Sequence, residues 1–202
     1  MKGLTFVYAV HDNLYINLTN RCPCRCTFCI RQNSDGAYGS DSLWLEREPD
    51  CDEVLADIEK YNLSEYGEIV FCGYGEPMER AEEVSFIGKE LKKRYPSIKI
   101  RLNTNGLSDK IHGKPTAHLL KGAVDVVSVS LNSGSSADYN AVTRPKWDDS
   151  FDAMLKFACD CKEYVPQVMF TVVDVISRRE IEQSREISER LGIPLRIRKY
   201  DT

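Results

Sequence analysis

Apolar and polar positions change period repeatedly along the chain. Thr5–Val10 and Leu14–Leu18 read as two short strands joined by the polar turn His11-Asp12-Asn13. Further on, Glu68–Cys72, Ile98–Leu102, Val124–Leu131, Val168–Val175 and Leu195–Tyr200 are rich in β-branched and apolar residues and predict strands. Between them the spacing becomes helical. Asp52–Tyr61 puts Val54, Leu55 and Ile58 on one face, and Ala81–Arg94 does the same with Val84, Ile87 and Leu91. The second of these ends in Lys92-Lys93-Arg94, which suits the negative end of a helix dipole. Ser150–Tyr164 and Arg178–Leu191 follow, the latter with a capping box at Ser177 and Glu180 and a terminating Gly192. Thr116–Leu120 and Ala137–Val142 are shorter helical stretches.

Strands that alternate with helices form parallel βαβ units with right-handed crossovers. Counted from Leu14–Leu18, about six such strands are present, two short of a closed eight-stranded barrel. The expected fold is therefore α/β: a partial, open TIM-like barrel of about six parallel strands with outer helices, plus a short N-terminal hairpin strand. Periodicity leaves a doubly wound open sheet as the alternative. Both architectures collect functional residues at the C-terminal strand ends.

The 202 residues suit one domain spanning the whole chain. A net charge of −4 argues against a general nucleic-acid binder. No apolar run approaches the length of a membrane span, and residues 1–10 show no cleavage-site pattern, so no membrane association and a cytoplasmic location are expected.

Cysteine placement changes the picture most. Cys22, Cys24, Cys26 and Cys29 fall on one short stretch directly after a strand, while Cys51, Cys72, Cys159 and Cys161 are scattered. Clustering of this kind in a reducing compartment points to metal rather than disulfides. Cys22, Cys26 and Cys29 have the spacing C-x3-C-x2-C, so three thiolates on one loop can hold three irons of a cubane cluster and leave the fourth open to chemistry. Cys24 is expected to point away as a spectator. A structural zinc knot completed by Cys24 or Cys72 is the bland alternative. An electron-transfer cluster with a fourth protein ligand is another.

This spacing, with Phe28 before the last cysteine, resembles the signature of radical S-adenosylmethionine (SAM) enzymes. Other strand ends carry further likenesses. Gly73-Tyr74-Gly75-Glu76-Pro77 resembles that family's G-G-E-P turn, which binds the SAM amino group. Asn103-Thr104-Asn105-Gly106 resembles its T-N-G turn. Ser130-Leu131-Asn132 resembles its S-L-[DN] signature. The resemblance implies a [4Fe–4S] cluster on Cys22, Cys26 and Cys29. It also implies SAM contacts from Phe28, Gly73, Tyr74, Gly75, Glu76, Asn103, Ser130 and Asn132, with Arg144 facing the SAM carboxylate or lying at the surface. Reductive SAM cleavage would then yield a 5′-deoxyadenosyl radical that takes hydrogen from a substrate. A one-electron reductant such as flavodoxin or ferredoxin is implied as a partner.

Within the family, Thr19–Arg31 and Asp41–Leu45 resemble the TatD-associated radical SAM proteins, implying a link to a TatD-like nuclease without fixing a substrate. An activase that makes a glycyl radical on a large partner is the rival within this class. A short chain that leaves the barrel side open fits a macromolecular substrate in either case. Arg196 and Arg198 alternate with Leu195 and Ile197 and face either the cavity, where they suit an anionic substrate, or solvent. His11, His112 and His118 have no metal spacing.

Overall fold

The computed structural model describes residues 2–199. Its strands are β1 (Val7–Val10), β2 (Asn13–Ile16), β3 (Glu68–Phe71), β4 (Lys99–Thr104), β5 (Val126–Ser130), β6 (Gln167–Val173) and β7 (Leu195–Arg198). They form one seven-stranded sheet in the order β1 to β7. The first pair is an antiparallel hairpin turned at His11 and Asp12, with His11 in the left-handed region. All later neighbours are parallel. A doubly wound sheet needs a reversal in strand order, and none occurs. Sequential order with right-handed crossovers keeps the helices on one face, as in a barrel wall. The sheet is open, with β1 and β7 as its edges.

The helices are α1 (Cys51–Ile58), α2 (Ala81–Arg94), α3 (Ser108–His112), α4 (Ser136–Thr143), α5 (Ser150–Cys161) and α6 (Arg178–Leu191). A capping box at Asp50 and Glu53 starts α1, and the expected one at Ser177 and Glu180 starts α6, which stops at a left-handed Gly192. Thr116–Leu120 proves to be a 3-10 turn at Ala117–Leu120, and Ala137–Val142 lies within α4. The strand expected at Leu195–Tyr200 is formed at Leu195–Arg198, and Tyr200 lies outside the described residues.

Strand alternation divides the sheet into two faces. Ile69, Phe71, Ile100, Leu102, Val127, Val129, Phe170 and Val172 pack against Val54, Ile58, Val84, Ile87, Leu91, Met154, Phe157 and Ile187 from the helices. Full burial stabilises each such side chain by roughly 1.5–3 kcal/mol, which places the main core between sheet and helices. The other face is more polar, carrying Glu68, Arg101, Asn103, Ser128 and Thr171. Glu68 there is bound by Arg101 at 2.7 Å and Lys99 at 3.0 Å. A smaller core of Tyr8, Val10, Ala37, Leu43 and Tyr74 packs beside the hairpin, under residues 33–44.

Gly88 shows how tight the main core is, because a Cβ there would lie 2.4 Å from the Ala123 carbonyl oxygen. Alanine in a helix is normally favoured over glycine by about 1 kcal/mol. Here Gly88→Ala is expected to lower stability by about 1–3 kcal/mol through overpacking, read as a lower urea midpoint at unchanged slope.

Candidate functional site

The cysteine loop leaves β2 at the C-terminal end of the sheet and is held by distant backbone. Arg25 N–H donates to the Thr143 carbonyl and Thr27 N–H to that of Val142, each at 2.9 Å, and Cys24 forms an antiparallel bridge with Pro145. On the other side Arg31 donates to the carbonyls of Tyr74 (3.4 Å) and Cys24 (3.3 Å), and its guanidinium lies over the Trp44 ring. Gln32 Nε2 closes the loop on the Cys26 carbonyl at 2.7 Å. Cys22, Cys26 and Cys29 are half-buried within this frame, as is Phe28.

Cys24 departs from expectation. It is buried in the main core, and its thiol contacts both Cys22 and Cys26 instead of pointing away. The bridge to Pro145 holds this section of the loop and turns the side chain inward. Its thiol hydrogen bonds pull Cys22 down to about 6, helped by its backbone N–H, by Arg31 and by Asn105, whose Nδ2 is 3.9 Å from Cys22 Sγ. Cys26 is lowered chiefly by the same thiol. Burial pushes Cys29 up, with Arg31 acting against it. Thiolates are the metal-binding form, which the loop favours at Cys22 and Cys26 and which burial opposes at Cys29.

A single zinc ion needs its ligands gathered at about 2.3 Å around one point. Among the described residues, no three His, Cys, Asp or Glu side chains are gathered as a metal site of any kind. Three thiols spaced along one loop suit a cubane, where each thiolate takes a different iron.

The glycine turn after β3 packs against the entrance of the cysteine loop. A Cβ at Gly73 would lie 2.1 Å from Asn17 Oδ1, and one at Gly75 would lie 2.2 Å from the Thr19 carbonyl oxygen. Both glycines are thus required by the chain's own close approach. Tyr74 turns its ring into the smaller core, where its hydroxyl donates to the carbonyls of Ser34 (2.7 Å) and Gly36 (2.9 Å).

Glu76 is buried and binds three strand ends together. Its backbone N–H donates to the Arg21 carbonyl at 2.8 Å, while its carboxyl accepts from Thr104 Oγ1 (2.6 Å), Asn105 N–H (2.7 Å) and Met78 N–H (3.0 Å). Burial, then the neighbouring Cys22, raise its pKa to about 8 against these donors, and a protonated carboxyl still has lone pairs to accept them.

The remaining strand-end residues lie around this centre. Asn103 is half-buried on the polar face and hydrogen-bonds the Cys72 thiol. Ser130 ends β5 half-buried. Asn132 is buried in the left-handed region, and its Oδ1 has no partner among the described residues, an unfilled acceptor of the kind a polar ligand satisfies. Arg144 is exposed at the left-handed C-cap of α4, one residue before the Cys24–Pro145 bridge. Sequence reasoning missed Arg31 and Asn105. Asn105 stood within a noted turn, whereas nothing local marks Arg31. Of the histidines, His112 shares a 2.8 Å hydrogen bond with the Met78 carbonyl, a structural contact.

An open, mostly parallel sheet with flanking helices thus carries three cysteines on the loop after β2, beside a glycine–glutamate turn, as a partial barrel does. The chain matches the Radical SAM superfamily over residues 16–187 and belongs to that superfamily. SAM cleavage, radical catalysis and use of an iron–sulfur cofactor go with that membership.

Among curated relatives, molybdenum cofactor biosynthesis protein 1 of Dictyostelium discoideum is 27% identical over 71% of this chain and 21% of its own length. GTP 3',8-cyclase of Lactiplantibacillus plantarum is 24% identical over 67% and 38%. The tungsten-containing aldehyde ferredoxin oxidoreductase cofactor-modifying protein of Pyrococcus furiosus is 30% identical over 64% and 33%. This chain thus spans roughly a fifth to two fifths of these relatives. Among solved structures, Streptococcus suis SuiB bound to precursor peptide SuiA superposes with a TM-score of 0.66 at 17% identity, over 96% of this chain and 40% of that one. Methylornithine synthase (PylB) gives 0.63 at 12%, over 94% and 53%. These likenesses establish the fold.

Glu76→Gln tests the buried junction. An amide places N–H groups where two backbone donors and a hydroxyl need acceptors, so a loss of about 1–3 kcal/mol is expected. In the cluster-free chain the folded carboxyl keeps its proton to about pH 8, whereas the unfolded one releases it near 4.5. The folded state therefore binds more protons in that window, and stability falls as pH rises through it. Cys22, held down near 6, adds stability above that pH, so the Glu76 slope is read as a difference: the margin in urea midpoint of the native chain over the variant should shrink as pH rises from about 4.5 to 8.

Proposed function

We propose that this chain uses Cys22, Cys26 and Cys29 to hold a [4Fe–4S] cluster whose fourth iron is open to SAM, and that it abstracts hydrogen from a substrate bound within the sheet. One observation carries the reading: three thiols of one loop are pinned between the Gly73–Glu76 turn and the Val142–Pro145 segment, while the stretch after β5 carries an unfilled acceptor on Asn132. When bound, the cluster supplies the low-potential electron that splits SAM into methionine and a 5′-deoxyadenosyl radical. The protein's part is positioning. Arg31 and Glu76 hold the loop and turn in register. Asn103, Ser130 and Asn132 offer polar contacts along the strand ends, and Arg144 offers a guanidinium for the SAM carboxylate.

A one-electron donor such as flavodoxin or ferredoxin would reach the exposed side of the loop. The proposed tie to TatD-like nucleases rests on the loop sequence alone. The relatives named for GTP cyclisation and for work on metal cofactors show a range of chemistries for such a domain.

Protein reconstituted without air and incubated with dithionite and SAM is expected to release 5′-deoxyadenosine, measured by chromatography, and Cys26→Ala to release none. Cys24→Ala is expected to keep both iron and product, because Cys24 only donates to the ligating thiols. Loss of the cluster in that variant would instead mark Cys24 as a fourth ligand and the chain as an electron carrier.

A further inference from the structure

The polar face of the sheet has an electrostatic imbalance at one edge. Toward its N-terminal end, Glu68 is bound by Arg101 and Lys99, and Arg101 also reaches Met169 Sδ at 3.4 Å. At the C-terminal end Glu76 is consumed by its three donors, Asn103, Ser128, Ser130 and Thr171 are neutral, and the carboxylate beside β7 is the exposed Asp174, whose backbone N–H donates to the Arg198 carbonyl at 2.9 Å. Two guanidiniums stand against this background on β7. Leu195 packs on the main core, so alternation turns Arg196 and Arg198 to the opposite, polar face. There Arg196 pairs in register with Thr171 and Arg198 with Val173. Neither arginine makes an ion pair among the described residues.

Arg198 also acts electrostatically on Cys72 and Tyr15, favouring their ionised forms. Those residues belong to the opposite side of the sheet, on or just beyond β3 and β2. Both arginines are exposed on the polar face, and Arg198 is close enough to the C-terminal end of β2 and β3 to act on groups there.

We propose that Arg196 and Arg198 are a recognition site for an anionic oxygen group, a carboxylate or phosphate, on the substrate of this enzyme. The inference rests on reading the interior as the SAM chamber. Side chains two apart on a strand are separated by roughly 6.6 Å at the backbone, a span over which two guanidinium forks converge on one oxyanion. Like charges side by side on one strand face are unfavourable when unpaired, and a bound anion removes that cost. Arginine also suits the planar oxygen geometry better than lysine would. Edge strands carry charge for another reason, to repel stray strands, and such charge would not distinguish phosphate or acetate from chloride.

The test uses reconstituted, 15N-labelled protein with SAM at saturation. Iron, sulfide and SAM binding are measured on the same sample, so failure of the functional reading shows there, separately from failure of this one. Arginine Nε–H resonances are assigned by their disappearance in Arg196→Gln and Arg198→Gln. Sodium phosphate, sodium acetate and sodium chloride are then titrated at matched ionic strength. The expected result is a saturable shift of both resonances with phosphate or acetate and none with chloride; the tighter anion names the group. The double glutamine variant should bind about tenfold more weakly or worse, and a double lysine variant should recover part of the affinity. An equal response to chloride, unchanged binding in the double glutamine variant, or displacement of SAM by the anion would each overturn the proposal.

Discussion

A carboxyl with no access to water must find partners within the protein, and the partners Glu76 finds organise the site. Its own N–H reaches back to the cysteine loop, and its two oxygens draw in the end of β4 and the first turn of the segment leading to α2. Asn105, placed by one of those bonds, touches Cys22. The stretches after β2, β3 and β4 are therefore one assembly. Burial raises the carboxyl's energy, and the bonds return it only if all three segments are in register. The geometry of the thiols depends on that condition before any iron arrives.

Much of the framework was readable because it follows local rules. Ser177, Glu180 and Gly192 mark both ends of α6 by chemistry confined to a few residues, whereas the capping box at Asp50 and Glu53 went unread and α1 was expected from Asp52 to Tyr61 instead of Cys51–Ile58. Apolar runs located the strands, and their alternation with helices implied parallel pairing. Strand order is not local, so the sequence alone left the doubly wound sheet open until the β1-to-β7 order removed it. The 3-10 turns at Ile30–Gln32, Leu63–Glu65 and Pro77–Arg80 went unread, and the one at Ala117–Leu120 reads as a short helix, because three or four residues carry too little periodicity.

At the site, spacing located Cys22, Cys26 and Cys29, and the turn motifs located the strand ends. The orientation of Cys24 was not legible, since it follows from a bridge to Pro145, far along the chain. Tyr74 shows the same limit. It sits between two glycines of a ligand-type turn, yet its ring belongs to the smaller core and its hydroxyl caps the carbonyls of Ser34 and Gly36. The glycines on either side answer to the crowding of Asn17 and Thr19. Arg31 joins the turn to the loop through two carbonyls, a relation that appears only once both are folded.

The backbone bonds from Arg25 and Thr27 to Thr143 and Val142 tie the first loop of the sheet to the end of a helix more than a hundred residues later. Loop closure over such a distance carries an entropic penalty that short-range pairing avoids. The cysteine loop therefore relies for its hold on a segment presented by α4, far along the chain. Metal held by the thiols would feed back through the same bonds, lending stability to the distant helix by linkage. Binding at the thiols and the hold of the cysteine loop on that distant segment would then be thermodynamically linked.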